Sequence, residues 1–566
     1  MQRGPGAIAQ LGERLDRTQE VAGSSPASST RKPPPLGKVV RGGTGGSFGP
    51  EDGRVLTDPH ELYSPRQDAT SPRNLRPMRM MRFLMMQSLV RGSVLTLAAG
   101  LVSILPAGEA SAVSASGRWL RPVVIARTCN RGVVTPVKLA QNARGDIVLA
   151  WAEQGCNGPP GVSRVFAVSR PAGRRFGSKR MLASTRALPY ISQLGVAIDA
   201  RGAATIAWSS ANAGQSRSRV LVATRQRGGR FGAPVSLDEH GLRPALSGTA
   251  DGEAVLVWQQ VSPPGNDAHT GYVVAATRMP GASRFGPAQA ISDQLHQAHN
   301  QYTAFPVVAT PAISVAPDGT ALASWTRADG TALDCCTAVE ASVRPPGGDF
   351  SAPVRLSPAL PNTPDTTSGT GVAAADNGAV AWTTDDSTNF PAGGMFASRW
   401  DGHAFSAPIA LMRPEDVARG TVFSTPEVLL GGDGPPTVRW DEEPGQCSPP
   451  PRRVAITLTT TAAAVAQRSL APANQVLAGF AAAVDTSDRT VAVWVQAGRV
   501  SVDKYGTCAM SGLRVAGSIN GDPPITGPRI RSGIDSLALA AAPGSTPRLV
   551  WSGGGVIVMT TLRESN

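Results

Sequence analysis

Gly195-Val196-Ala197-Ile198-Asp199-Ala200-Arg201-Gly202-Ala203-Ala204-Thr205-Ile206-Ala207-Trp208 is the stretch on which the fold is decided. An alternating apolar run meets a short Asp/Gly turn, and a second β-rich run ends on Trp. Gly supplies the positive φ that a tight turn needs, and Asp caps it through its side chain, so the segment reads as a β-hairpin. The same unit recurs. Trp151, Trp208, Trp258, Trp325, Trp382, Trp440, Trp494 and Trp551 follow one another at gaps of 57, 50, 67, 57, 58, 54 and 57 residues. The turn returns as Ala143-Arg144-Gly145, Ala250-Asp251-Gly252, Pro317-Asp318-Gly319, Asp376-Asn377-Gly378 and Gly432-Asp433-Gly434, and in weaker form between Asp485 and Asp488. A fixed period of this length marks a repeat architecture.

Working outward from each Trp, a variable loop precedes a third run ending in Arg: Arg170, Arg225, Arg278, Arg344 and Arg399. A Gly-rich turn follows, and then a fourth strand that the sequence reads as opening on Phe176, Phe231, Phe285, Phe350 or Phe405. Four strands in roughly 50 residues are what a β-propeller blade requires. After Trp551 there is one more strand, Gly555 to Leu562, and no fourth. Ahead of the first repeat, Gly117-Arg118-Trp119-Leu120-Arg121-Pro122-Val123-Val124-Ile125 aligns with Gly229 to Leu237. The expected fold is therefore all-β, an eight-bladed propeller in which the mature N-terminal strand completes the last blade and leaves no free edge. Seven blades are the alternative, because the sixth and seventh repeats match least. Gly (62) and Pro (48) punctuate β-rich runs rather than forming a low-complexity tract. Sheets of this size bury enough core to fold without a metal or disulfides.

The N-terminal region reads differently. Residues 78–112 have the order of a secretory signal: Arg79, Arg82 and Arg91, an apolar run from Val94 to Leu105, then Ala110-Ser111-Ala112. The apolar run is short for a membrane span, so no stable span is expected after cleavage. Residues 1–77 precede a signal that should itself come first. Their opening, Gly6 to Leu15 and Gly23 to Thr30, resembles a transfer-RNA gene read through as protein, which would place the true start at Met78, Met80 or Met81. The expected organisation is a non-native or disordered extension over 1–77, a signal peptide over 78–112 and the propeller over 113–566, secreted or displayed at the cell surface as a monomer.

The net charge of +13 falls to +8 once residues 1–112 are removed. An Arg repeated at one strand position reads as a solvated strand end. A nucleic-acid track would need a clustered basic face with interleaved aromatics, so no nucleic-acid partner is expected. All six Cys lie beyond the signal, an even number that suits disulfides in an oxidising compartment. Cys129 (the connection into blade one) and Cys156 (the loop after Trp151) share a face and a neighbourhood, and are the favoured pair. No Cys-x-x-Cys zinc unit occurs.

Propellers usually place ligands on the face that carries the connections between blades. Two clusters project there. Asp267 and His269 in the third blade's loop, with His296 and His299 in the connection to the fourth, offer a donor set for a transition metal. The plainer reading is a polar surface loop, since His-x-x-His without a helix does not fix ligand geometry. Asp385 and Asp386 after Trp382, with Asp441, Glu442 and Glu443 after Trp440, are carboxylates that could serve glycoside hydrolysis. They could equally be acidic loop tips or a structural Ca²⁺ patch. No organic cofactor is expected.

Residues 113–566 resemble exported bacterial β-propellers with sialidase-like or Asp-box-like repeats. The Ser-x-Asp-x-Gly-x-x-Trp pattern itself is not reproduced, because five residues commonly separate Gly from Trp here. The resemblance implies a propeller and brings over no catalytic residue. The mature chain's Tyr190, Tyr272, Tyr302 and Tyr505 form no evident pair with a Glu, and within residues 113–566 Gly-x-Ser-x-Gly and His-Glu-x-x-His are absent. The expected function is binding of an extracellular glycan, cell-wall component or protein on the interblade-loop face. The alternative is a carbohydrate-active hydrolase or lyase.

Overall fold

The computed structural model describes residues 117–564 apart from 130–132, 157–160, 213–216, 262–269, 294, 297–307, 329–336, 358–364, 374–377, 387–393, 413–420, 424–425, 430–435, 445–451, 458–465, 470–476, 485–488, 503–507, 520–522, 532–533 and 543–544. The regions read as an extension and a signal peptide lie outside the described residues. Every regular element described is a β-strand. The strands form eight antiparallel sheets of four or five strands each, taken here in chain order, and one two-stranded hairpin.

The second sheet shows the plan. Tyr190–Ile198, Ala204–Ala211, Ser218–Arg225 and Val235–Asp238 pair in sequence order as a meander. The second strand is buried along its whole length, because neighbouring sheets cover both of its faces. Its sequence is accordingly an unbroken run of small and apolar residues rather than an alternating one. In the eighth sheet (536–564) the partners come from the other end of the chain. Trp119 pairs with Leu562 and Val123 with Met559 across the strand Val556–Glu564.

The repeated Trp is an intersheet plug. Trp208 packs among Ala150, Ala152 and Val165 of the first sheet, and Trp258 among Ala207, Val220 and Val222 of the second. Trp325 enters the third sheet, Trp382 the fourth, Trp440 the fifth and Trp551 the seventh. Trp494 sits with Leu429 of the sixth. Trp151 obeys the same rule by packing against Ala538, Ala540 and Val550 of the eighth. The first strands of neighbouring sheets also touch: Val315 N donates to Ser247 Oγ (3.2 Å), and Val137 N to Ser536 Oγ (3.2 Å). Gly195 has no side chain because a Cβ there would lie 2.6 Å from that of Leu246 in the next sheet. Four-stranded meanders packed one against the next through a repeated plug are the architecture of a β-propeller.

In each meander the first-to-second and third-to-fourth turns share one end, the turn face. The second-to-third loops and the intersheet connections share the other, the loop face. The hairpin turns are built as the sequence implies. Gly145, Gly202, Gly252 and Gly319 have φ between +88° and +108°. Asp199 Oδ1 accepts from Ala203 N at 2.7 Å, and Asn142 Oδ1 from Asp146 N at 2.9 Å.

Two expectations are corrected on this face. The third-strand Arg is not a solvated strand end: Arg225, Arg278 and Arg344 are buried, with Arg344 only 2% exposed. Each donates through Nη2 to the carbonyl of its own sheet's turn glycine, at Gly202 (3.0 Å), Gly252 (3.3 Å) and Gly319 (2.8 Å). The repeated Phe does not open the fourth strand either. Phe231 precedes Val235–Asp238 by four residues and lies in the turn, where it covers the Arg225 guanidinium at 5.5 Å. Phe176 covers Arg170 in the same way at 5.3 Å. A planar cation stacked on a ring and hydrogen-bonded to a carbonyl loses little on burial, so the repeat can keep Arg where a solvated charge was expected.

Candidate functional site

The loop face is where the sheets stop resembling one another. Second-to-third connections range from two residues in the eighth sheet (Gly554, Gly555) to the seventeen of 497–513 in the seventh, which carry the extra hairpin Arg499–Val502 and Cys508–Ser511. The first-to-second turns of the first five sheets all have five residues.

At the loop-face ends of the first strands the ladder slips. Register shifts fall between Ser192 and Gly195, Leu242 and Ala245, Ala309 and Ala312, Ser368 and Thr370, and Leu477 and Gly479. A bulge re-aims the residues it contains. In the second and third sheets it forces Gln193 (φ +43°) and Arg243 (φ +52°) into the left-handed region, which non-glycine residues seldom occupy. Gln193 Oε1 is buried without a hydrogen-bond partner. The exposed ring of Tyr190 stands at the start of the same strand. Asp535 precedes the first strand of the eighth sheet, and desolvation pushes its carboxyl above the usual range. Sequence reading passed over these residues. The available signal was polar Gln193 and Arg243 inside runs otherwise read as inner strands.

The acidic residues singled out from sequence lie on strands rather than loop tips. Asp385 and Asp386 end the strand Ala379–Asp386, where the register sets Asp386 opposite Asp365 and Asp385 opposite Thr366. Asp441, Glu442 and Glu443 lie within Thr437–Pro444, and Asp441 faces Arg453 and Glu442 faces Arg452 across the ladder. Opposite charges in direct register stabilise a sheet, whereas two carboxylates in register oppose it. The two clusters differ in register: Asp441 and Glu442 stand opposite Arg453 and Arg452, whereas Asp386 stands opposite Asp365 and Asp385 opposite Thr366. Of the histidine cluster, Asp267, His269 and His299 lie outside the described residues. His296 pairs through its backbone with Thr270, one residue from His269, on the outer side of the third sheet.

Cys129 and Cys156 form a disulfide, the pairing favoured from sequence. Cys335, Cys336 and Cys447 lie outside the described residues. Several plug tryptophans carry a carboxylate on their indole N–H: Trp151 donates to Glu153 (2.9 Å), Trp258 to Asp238 (2.6 Å) and Trp325 to Glu340 (2.9 Å). Glu153 also bonds Lys179, and Glu340 bonds Arg327 at 2.9 Å. Asp238 and burial together raise the Tyr272 hydroxyl's pKa, burial contributing more. These carboxylates are consumed by structure.

The turn face carries a girdle of alternating charge. Asp146 of the first sheet lies against Gly202 of the second, Asp199 against Gly252 of the third, and Glu253 against Gly319 of the fourth. Each carboxylate thereby meets the next sheet's Arg. Burial lowers Arg225 and Arg278, and the charges of Asp146 and Asp199 oppose that effect. Arg344 and Glu253 are a direct buried ion pair. Between the second and third turns remains a cleft with room for about one water, lined by Asp199, Glu253 and Arg278 among others.

No known family profile matches the chain, and no curated protein matches it. Solved structures do align with it. They include the β-propeller domain of the Trilobed protease from Pyrococcus furiosus (8% identity, 70% of this chain and 92% of that one, TM-score 0.35). An α-L-arabinanase from Penicillium chrysogenum aligns at 12% identity over 57% of this chain and 93% of that one (TM-score 0.32). The lectin of Aleuria aurantia aligns at 12% identity over 60% and 95% (TM-score 0.31). Among the described residues no helix is long and apolar enough to cross a membrane.

Proposed function

We propose that this chain is an exported β-propeller of eight blades, closed by its mature N-terminal strand, that binds an extracellular glycan, cell-wall component or protein on its loop face. One observation carries the reading: over the eight sheets the first-to-second turns have five residues in six and seven in two, while the second-to-third connections on the loop face run from two residues to seventeen, the extremes falling in the eighth and seventh sheets. A framework repeated for stability needs uniform turns, and recognition needs differences presented from a rigid scaffold. The ring rests on the pairing of Gly117–Trp119 and Val123–Arg127 with the last strand, and on the packing of Trp151 into the eighth sheet. A seven-blade count would require one sheet to stand outside the ring. Export rests on the signal-like segment 78–112 and on the Cys129–Cys156 disulfide.

The candidate contacts are Gln193, Arg243 and Tyr190 at the inner strand ends, with Asp385 and Asp386 on the fifth sheet. The hydrolase or lyase alternative keeps one support, the register of Asp386 opposite Asp365. Two carboxylates held together can split their pKa values into the acid and base that glycoside cleavage uses. Protein expressed from Met78, recovered from the medium and sequenced at its N-terminus near Val113, tests export. A glycan array with that protein tests binding, and absence of any glycan or cell-wall ligand would overturn the reading. Turnover of a glycan panel that disappears in Asp386→Ala with the fold intact would replace binding by catalysis.

A further inference from the structure

Among the described residues the turn-face girdle changes sign at the seam between the eighth sheet and the first. Where the first three sheets meet their successors, the group lying against the turn glycine is a carboxylate: Asp146 at Gly202, Asp199 at Gly252, Glu253 at Gly319. Where the eighth sheet meets the first, the group lying against Gly145 is the guanidinium of Arg548, whose Nη2 would stand 3.4 Å from a Cβ there. The cause is an exchange across one ladder rung. In the second to fifth sheets the rung pairs Ala with the third-strand Arg: Ala204 with Arg225, Ala254 with Arg278, Ala321 with Arg344, Ala379 with Arg399. In the eighth it pairs Arg548 with Thr561. The cation has moved one strand inward and points at the first sheet, which contributes its own third-strand cation, Arg170.

Neither guanidinium is neutralised. Among the described residues the Arg170 guanidinium makes no hydrogen bond and no ion pair. Its counterparts Arg225, Arg278 and Arg344 each bond their turn carbonyl, and its only partner is the ring of Phe176. Arg548 bonds one neutral amide oxygen, Gln141 Oε1, and the other end of that amide is held by Ser545. The Nε of both arginines is buried without a partner, as it is in Arg225, Arg278 and Arg344, so the seam is set apart by its missing carboxylate and, at Arg170, by its missing carbonyl bond. Burial and the facing charge of Arg170 depress Arg548 to about 10, so it remains a cation at neutral pH. Two like charges at a half-buried seam, where the neighbouring seams hold opposite ones, oppose folding unless a counter-charge joins them.

We propose that this seam is an oxyanion site: Arg170 and Arg548 take a sulfate, phosphate or carboxylate group, free or carried on an acidic sugar, beside Gly145. Two planar forks are the donor set that binds such a group bidentately. The site lies on the turn face and is independent of the loop-face reading, so either can fail alone.

The secreted protein would be titrated with sodium sulfate, sodium phosphate, sodium glucuronate and a sulfated disaccharide at constant ionic strength, by calorimetry and by thermal unfolding. Saturable binding with a rising Tm is expected, and Arg170→Gln and Arg548→Gln should each weaken it at least about tenfold. Sulfate stabilises proteins in general, so the variants set the baseline. If Arg548→Gln fails to fold, Arg548→Lys and Arg170→Lys keep the charge but lose the fork, and should weaken binding while leaving the circular dichroism unchanged. A sugar-borne anion that outcompetes sulfate assigns the ligand to acidic glycans, and equal affinity assigns it to the free ion. Binding unchanged in all the variants, or no saturable signal in the folded wild type below about 10 mM, would overturn the proposal.

Discussion

The two ends of the sheets carry charge in opposite ways. On the turn face of the second to fourth sheets, side chains that look like surface residues in the sequence are drawn inside and matched: Arg344 with Glu253, Arg225 between Asp146 and Asp199, each guanidinium returned to a glycine carbonyl. On the loop face the unusual features are left-handed backbone and one buried side-chain oxygen without a partner. Gln193 and Arg243 occupy left-handed backbone, Gln193 Oε1 has no partner, and Asp386 faces Asp365 in register. Matched charge is what a scaffold retains for stability. Unmatched polar groups and backbone strain cluster where a protein meets a ligand. Away from the seam between the eighth and first sheets, the difference separates the parts of this propeller that hold it together from the parts free to recognise something.

The largest effect expected from this contrast belongs to neither face but to the plugs between sheets. Trp325→Ala should cost about 4 kcal/mol in guanidinium unfolding, because it opens a cavity in the third-to-fourth interface and strands Glu340 without its indole donor. A loss below about 1 kcal/mol would mean that the plug is not what joins the sheets. Next, Arg344→Met should cost about 3 kcal/mol by leaving Glu253 buried and unpaired. Adding Glu253→Leu should recover most of that loss. A double variant as unstable as the sum of the singles would show that the girdle is not a coupled pair.

On the loop face the sign should reverse. Gln193→Gly removes left-handed strain worth about 1–2 kcal/mol and adds unfolded-state entropy, so stability should hold or rise by up to about 1 kcal/mol while ligand binding weakens. Substantial destabilisation there would place Gln193 with the framework instead. The smallest effect is expected at Asp146. Burial alone would raise its carboxyl, but hydrogen bonds from Asn142 and from Ala172 N, with the charge of Arg144, outweigh it and hold the pKa below the ordinary carboxylate value. Its contribution is therefore present above that ordinary value and is lost as pH falls through the folded one. Asp146→Asn should cost about 1 kcal/mol at pH 7 and flatten the acid limb of a stability–pH curve. An unchanged acid limb would sever Asp146 from the girdle.

The hairpin-and-Trp unit was legible because its physics is local. Turn glycines, β-rich runs and the Cys129–Cys156 neighbourhood need only sequence spacing and an antiparallel meander. The third-strand Arg was legible as a repeat and misleading as a surface charge. Nothing along the chain reveals that Phe231 folds over Arg225, or that the carbonyl of Gly202 waits beside it. The acidic clusters were visible as composition. Their unlike registers, Asp386 against Asp365 but Glu442 against Arg452, depend on strand pairing that composition does not encode.

By itself the sequence determined the all-β class, the period and the turn chemistry, since each follows from preferences acting over a few residues. Only the tertiary structure decided which charges were buried and which were left unpaired. Burial is set by the sheet that packs against a residue, and that neighbour lies some fifty positions away or, at the last seam, at the other end of the chain. Arg548 and Arg170 face each other across that seam with nothing in the sequence between them to announce it.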